Sequence, residues 1–271
     1  MKDDQTTAEA FAKSWTHLPT GSIYTFEQFE DWFAPITQKD IEGKSVLELG
    51  CGNGSLLVHL TKWNPSQITG VDLGPSTEAA LKNMRQTGYR NYSIIRADLT
   101  EFSGSTFDVV YSIGVLHHLK HPTKGFESLI ANAKPGGRFH CWVYAREGND
   151  IIIRIVDPIR RITSRLPWIL TKYLIAAPLA ALYFVYAKSL QKMRAIKSLH
   201  QAPLFEYSLW IAQRPFSFFH HVAFDQLVAP RTAYIDKPTV QSWLTHPGVA
   251  PESSYIVFRN GNSWKFGGRV R

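Results

Sequence analysis

Residues 46–54 read Val46-Leu47-Glu48-Leu49-Gly50-Cys51-Gly52-Asn53-Gly54, and they hold the densest concentration of chemistry in the chain. An apolar run leads into one carboxylate, then into glycine at every second position. Each glycine removes a Cβ where the backbone must turn sharply and let a ligand approach. A helix opening near Gly54 would aim its free N–H groups at the same point. Such a turn suits a nucleoside-bearing cofactor lying across the end of a strand. The spacing disfavours a dinucleotide. Counting G-x-G-x-x-G/A from Gly50 puts Ser55 where the last small residue belongs, and Glu48 would repel a pyrophosphate.

Further residues suited to chemistry recur downstream. Asp72 lies 24 positions after Glu48 and can accept hydrogen bonds from both hydroxyls of a ribose. Asp98-Leu99 places a carboxylate beside an apolar side chain, a pairing suited to an adenine amino group and ring face. Ser112 to His118 follows another apolar run. Within it, His117 and His118 are candidate general bases, because imidazole titrates near neutrality. The plainer alternative is that one packs under the next helix and the other caps backbone groups. His220-His221 is a second pair, followed by Asp225, Gln226, Arg231 and Tyr234 among apolar neighbours. Tyr24, Tyr144, Arg231 and Tyr234 are candidate acceptor contacts. No metal-ligand set and no activated covalent nucleophile is legible.

These groups need a scaffold that brings them together. Strands are expected at 45–49, 67–72, 92–97, 107–112 and 138–145. Helices are expected between them at 54–62, from Pro75 to near Gly88, and from Pro122. Lys134-Pro135-Gly136-Gly137 reads as a turn. This alternation predicts a doubly wound parallel sheet with helices on both faces. Ligand residues then gather at the carboxyl ends of the strands, where Glu48–Gly54, Asp72, Asp98 and Ser112–His118 all fall. Towards the end of the chain a helix is expected at 238–245. Tyr255–Phe258 and Ser263–Val270 read as strands joined by an Asn-Gly turn.

Taken motif by motif, residues 44–145 resemble class I S-adenosylmethionine (SAM) dependent methyltransferases. VLELGCGNG is similar to the first motif, GVDL to the acidic end of the second strand and RADL to the adenine-contacting motif. FDVVYSIGVLHHL is similar to the fourth-strand motif, and KPGGRF to the turn before the fifth strand. The resemblance implies a Rossmann-like α/β fold, mostly parallel, with an antiparallel C-terminal hairpin. It implies SAM as cofactor, held by Glu48, Gly50, Cys51, Gly52, Asn53, Gly54, Asp72, Leu73, Asp98, Leu99 and Ser112. Residues 150–230 depart from the generic pattern, so the resemblance names no acceptor.

Composition adds bounds. The 271 residues carry a formal charge of +8. Nine Lys and Arg lie between Asp150 and His200, opposed only by Asp150 and Asp157, so the rest of the chain is close to neutral. Residues 151–166 place Ile152, Ile155, Val156, Ile159, Ile162 and Leu166 at helical spacing, with Pro158 predicted to divide them into two helices. Tyr173 to Ala187 carries no charge but falls short of the roughly 20 residues a membrane span needs. Residues 188–200 read as amphipathic again. The polar start of the chain gives no sign of a leader, and two cysteines make no disulfide framework, so a cytoplasmic setting is expected.

The organisation expected is therefore a helical, aromatic-rich lid over 1–43, a SAM-binding core over 44–149, a helical insertion over 150–222 and a completion of the sheet over 223–271. The aromatic residues Phe11, Trp15, Tyr24, Phe26, Phe29, Trp32 and Phe33 either cap the core or cover the site. The activity expected is methyl transfer to a small, partly apolar acceptor, at oxygen or nitrogen ahead of carbon. Two alternatives stay open: a membrane-associated enzyme acting on a lipid or quinone-like substrate through contacts at 151–200, and a non-catalytic SAM-fold regulatory protein. Nucleic acid ranks last among partners, because the basic residues sit within apolar helices. The oligomeric state is not legible.

Overall fold

The computed structural model describes residues 2–15, 24–104 and 106–271. Part of the lead-in expected over 1–43, including Met1 and residues 16–23, lies outside the described residues, as does the side chain of Trp15. Seven strands form one sheet: β1 (Ser45–Leu49), β2 (Gln67–Asp72), β3 (Tyr92–Arg96), β4 (Phe107–Ile113), β5 (Ala133–Tyr144), β6 (Val249–Arg259) and β7 (Ser263–Val270). Their order is β3-β2-β1-β4-β5-β7-β6. The first five are parallel, and β7 enters antiparallel between β5 and β6. This is the mostly parallel Rossmann-like sheet with an antiparallel end that the motifs imply. The topology reverses between β1 and β4, and an open α/β sheet holds its ligand at such a switch point.

The sheet is covered on both sides, which is why its central strands read as unbroken apolar runs. Alternate residues feed two separate cores. Leu47, Leu49 and Val110 join Phe126, Phe139, Trp243 and Phe266. Val46, Val109 and Tyr111 join Phe29, Phe33, Leu57 and Trp63. The covering helices are α1 (Lys2–Trp15), α2 (Phe26–Phe33), α3 (Gln38–Ile41), α4 (Ser55–Leu60), α5 (Ser76–Gln86) and α6 (Pro122–Ala131). Thr25 and Gln28 close a reciprocal capping box at the start of α2, which fixes where that helix begins.

The antiparallel edge holds α2 in place. Arg259 of β6 forms an ion pair with Asp31, donating through Nε at 2.9 Å. Lys265 Nζ of β7 donates to the Asp31 carbonyl at 2.6 Å. His140 Nε2 of β5 donates to the Trp32 carbonyl at 2.8 Å, while Tyr255 O–H donates to the same ring's Nδ1 at 2.6 Å.

Between β5 and β6 the chain builds a helical layer: α7 (Asp157–Thr163), α8 (Trp168–Lys192), α9 (Phe205–Ile211), α10 (Phe216–Val228) and α11 (Lys237–Leu244). Two expectations need correction here. Pro158 does not divide the first helix. A π turn over Ile152–Val156 runs directly into α7, and the proline sits in its first turn, where a missing N–H is tolerated. The uncharged run from Tyr173 to Ala187 lies inside a longer helix than its own length led one to expect. A second π turn, Thr171–Ala176, precedes Ala177-Pro178 in the same way, and α8 continues unbroken for 25 residues. By length and composition alone that helix could cross a membrane. The strand predicted at 138 begins at Ala133 instead, with an irregularity in its pairing to β4, and α10 runs across the boundary expected at 222.

Candidate active site

A single cavity of ≈ 450 Å³ joins the carboxyl edge of the sheet to the helical layer. Its sheet half is built largely by the backbone. Gly50 adopts φ +87° and donates its N–H to the Val71 carbonyl at 2.7 Å. A Cβ on Gly50 would stand 2.4 Å from a Val115 methyl, so only glycine fits. Gly52 N–H donates to Asp72 Oδ2 at 2.9 Å, while Gly74 N–H at 2.8 Å and Ser76 Oγ at 3.1 Å bond Oδ1. Asp72 therefore ties the glycine loop to the loop after β2. Burial raises its carboxyl above the usual range, and these three donors oppose that rise.

Glu48, Gly50, Cys51 and Asn53 line this half, with Asp72, Leu73, Asp98 and Leu99 opposite. Glu48 is 2% exposed, and burial pushes its carboxyl up to about 8 despite the hydrogen bond donated by Tyr111 at 3.0 Å. Asp98 Oδ1 accepts from Thr100 N–H and Oγ1 in a tight local turn. These groups fit the donor implied by the motifs. A nearly dry carboxylate at Glu48 favours a cationic neighbour, Asp72 and Asp98 offer acceptors for hydroxyl and amino groups, and Gly50 leaves room beside Val115.

Some residues expected at the site act from behind the wall. Gly54, at φ +75°, starts α4 and backs onto Ala80. Ser112 is fully buried and donates to the Leu49 carbonyl at 2.9 Å, fastening β4 to β1. His117 is equally buried. Its Nδ1 accepts the Tyr144 N–H at 3.3 Å, which leaves the proton on Nε2. That Nε2 has no partner among the described residues, and burial holds the ring neutral, well below its usual range. It caps the end of β5, and its ring lies tilted against Tyr144 with centroids 4.2 Å apart. Neither Ser112 nor His117 is on the wall.

His118 is on the wall. Its Nδ1 donates to the Arg231 carbonyl at 2.8 Å, so Nε2 carries the lone pair. Burial pushes its titration down to about 4, partly offset by that hydrogen bond. Arg231 contributes to this arrangement through its carbonyl rather than through the cavity wall. Phe11 of α1 packs edge-on at 4.9 Å from His118, and Asp4 accepts the Lys120 N–H at 2.7 Å, so α1 lies along the same rim.

The helical half is aromatic. Tyr183 of α8, Tyr207 and Trp210 of α9, and Phe218 and Phe219 of α10 line it, facing Trp32, Trp142, Tyr144 and Tyr234. Polar groups are few. His221 Nε2 stands 3.1 Å from Asp225 Oδ2 one turn along α10, close enough for attraction but without hydrogen-bond alignment. Tyr24 sits where the halves meet. Burial raises its phenol far above the usual range, and Asp225 on one side and Glu48 on the other push in the same direction. Behind the wall, Arg160 is 3% exposed and binds the Gln226 carbonyl, the Gln226 side chain, Asp157 and Tyr234. It fastens α7 to α10.

The sequence did not single out Trp142 or the aromatic residues of α8 and α9. The i, i+3 spacing of Tyr207 and Trp210 on one helix face was the available signal. No cluster of three or more metal-ligating side chains occurs among the described residues.

A family profile described as "Methyltransferase domain" matches residues 23–206. The tRNA U34 carboxymethyltransferase of Campylobacter curvus is 30% identical over 100 residues, 36% of this chain and 34% of that protein. A ubiquinone biosynthesis O-methyltransferase of Nitrosococcus oceani is 33% identical over 103 residues, 36% of this chain and 42% of that protein. The chain thus spans less than half the length of these curated relatives. The N-methyltransferase NodS of Bradyrhizobium japonicum WM9, solved with S-adenosyl-L-homocysteine, superposes over 98% of this chain and 99% of its own with a TM-score of 0.52 at 13% identity. That likeness is one of fold.

Proposed function

The chain belongs to the methyltransferase family whose profile covers residues 23–206, and on that premise we propose that it transfers a methyl group from SAM to a small acceptor with substantial apolar surface. The carrying observation is the continuity of one cavity from Glu48, Asp72 and Asp98 to the aromatic helical layer. Its volume is in the range of small-molecule sites, which are mostly apolar with a few placed polar groups. The enclosing helices favour a small acceptor over a nucleic acid strand. A cytoplasmic setting is consistent with two buried free cysteines.

When bound, the donor would supply an activated methyl on a sulfonium. Glu48, Asp72, Asp98 and Leu99 would hold it, and the glycine loop would let it approach the backbone. The protein's own part is alignment and exclusion of water, which can lower a barrier by about 7–11 kcal/mol in well-oriented reactions. Tyr24, Trp32 and Trp142 close the junction between the two halves.

An oxygen or nitrogen acceptor must lose a proton. We assign that role to His221, because it lines the acceptor half and its Nε2 stands 3.1 Å from the Asp225 carboxylate, which can orient the ring. His118, depressed to about 4, stays neutral across the working range and serves to position the acceptor. His117 supports Tyr144 from beneath.

The test is incubation of purified protein with methyl-labelled SAM and fractionated cell extract. Label is expected in an apolar small-molecule fraction, and His221→Ala should lower kcat while leaving affinity for S-adenosyl-L-homocysteine unchanged. Label confined to RNA or protein would replace the acceptor class. No labelled product in any fraction would point to a binding protein instead.

A further inference from the structure

The face of α8 turned away from the cavity consists of Tyr173, Leu174, Pro178, Ala181, Leu182 and Val185, and it lies open to solvent. Leu174 is 69% exposed, Leu182 71% and Val185 64%, values expected of charged side chains rather than aliphatic ones. No charged residue interrupts the helix between Lys172 and Lys188. The opposite face is occupied: Ala176, Ala180, Ala187 and Leu190 are buried, and Ala180 and Tyr183 line the cavity. A helix committed on one side to protein and on the other to nothing visible is not a bilayer span. Its geometry is that of a helix lying flat in an interface.

The ends of this strip are cationic. Arg161 and Arg165 precede it, while Lys192, Arg194 and Lys197 follow it, all exposed and none ion-paired among the described residues. Ile155, Ile162 and Leu166 extend the exposed apolar surface along the neighbouring α7 layer. Leu179 carries the decisive geometry. It is 37% exposed and also lines the cavity, so the outer apolar face runs without interruption to the mouth of the acceptor half.

We propose that the α7–α8 face docks flat on an anionic lipid bilayer and that the acceptor enters past Leu179 directly from that bilayer. The docking stands on exposure and charge alone. The entry route rests on the methyl-transfer reading and adds to it that the acceptor is a lipid-soluble molecule. Charge complementarity selects the bilayer over a second copy of this chain, because two such faces would bring their own Lys and Arg together.

The experiment is co-sedimentation of the full chain with vesicles of phosphatidylcholine alone and of phosphatidylcholine mixed with phosphatidylglycerol, at low and high salt. Binding is expected to the anionic vesicles, weakened by salt, and to fall at least about tenfold in the triple variant Leu174→Gln, Leu182→Gln, Val185→Gln, none of which lines the cavity. Circular dichroism and calorimetry with S-adenosyl-L-homocysteine check that the variant is folded and retains the donor site. Loss of donor binding by the unaltered protein would indict the methyl-transfer reading and leave the docking result standing. Equal binding to both vesicle types, or none to either, would overturn the docking. So would a stable dimer by light scattering that the triple variant converts to monomer.

Discussion

The two halves of the cavity are built on different principles. The sheet half is fixed by backbone: a glycine that only tolerates hydrogen at Cα, and a carboxylate, Asp72, that accepts three hydrogen bonds from two loops. The helical half is fixed by side chains: packed rings from α8, α9 and α10, with the buried cation Arg160 tying α7 to α10. A site made of backbone can serve one ligand and little else. A site made of packed rings changes occupant when a few side chains change. One fold thus keeps a constant donor and leaves its acceptor free to vary.

The comparison breaks most visibly at Arg160. Arg160→Ala leaves Asp157 and the Gln226 carbonyl without their partner and is expected to cost about 3–5 kcal/mol. Hydrogen exchange should show residues 150–235 losing protection while β1–β5 keep theirs. Uniform loss across the sheet would mean that the halves are one cooperative unit. Next comes Glu48. Folding raises its carboxyl from 4.5 to about 8, so between those pH values the folded state holds a proton that the unfolded chain has released. The contribution of Glu48 to the stability of the ligand-free protein should therefore be fullest below about pH 4.5 and decline by on the order of a few kcal/mol as pH rises through 8. Glu48→Gln should flatten that decline, as read by thermal melts across the range.

Asp72→Ala removes the tie between the two loops. It should weaken S-adenosyl-L-homocysteine binding by about 1.5–3 kcal/mol by calorimetry, and an unchanged affinity would count against the donor half as drawn. The smallest effect belongs to the rings. Trp210→Ala should raise the acceptor KM by roughly a factor of ten while donor affinity stays constant. A fall in donor affinity would erase the distinction between the halves.

The same contrast explains what the sequence made legible. Glu48, Asp72 and Asp98 were placed by chain geometry, since a parallel sheet sends the end of each strand to one edge. Ser112 and His117 obeyed that rule too, yet their side chains turn inward to the Leu49 carbonyl and the Tyr144 N–H. Period and strand position do not specify which way a loop residue points. The aromatic wall was not legible because Tyr183, Tyr207 and Phe219 converge only when three helices pack. Pro158 suggested a break, but it and Pro178 each follow a π turn that carries the helix past the proline. Residue propensity alone does not reveal that register change.

The far edge of the sheet has its own bearing on the roof of the cavity. Trp32 and Tyr24 cover the junction, and α2 is grasped from outside by Arg259, Lys265 and His140. Arg259 also lays its guanidinium 4.8 Å from the Trp210 ring. The β6–β7 hairpin therefore braces two parts of the cavity at once, the roof through Asp31 and the acceptor wall through Trp210. Loosening its turn at Asn260-Gly261 would unlatch the two together, although neither residue lines the cavity.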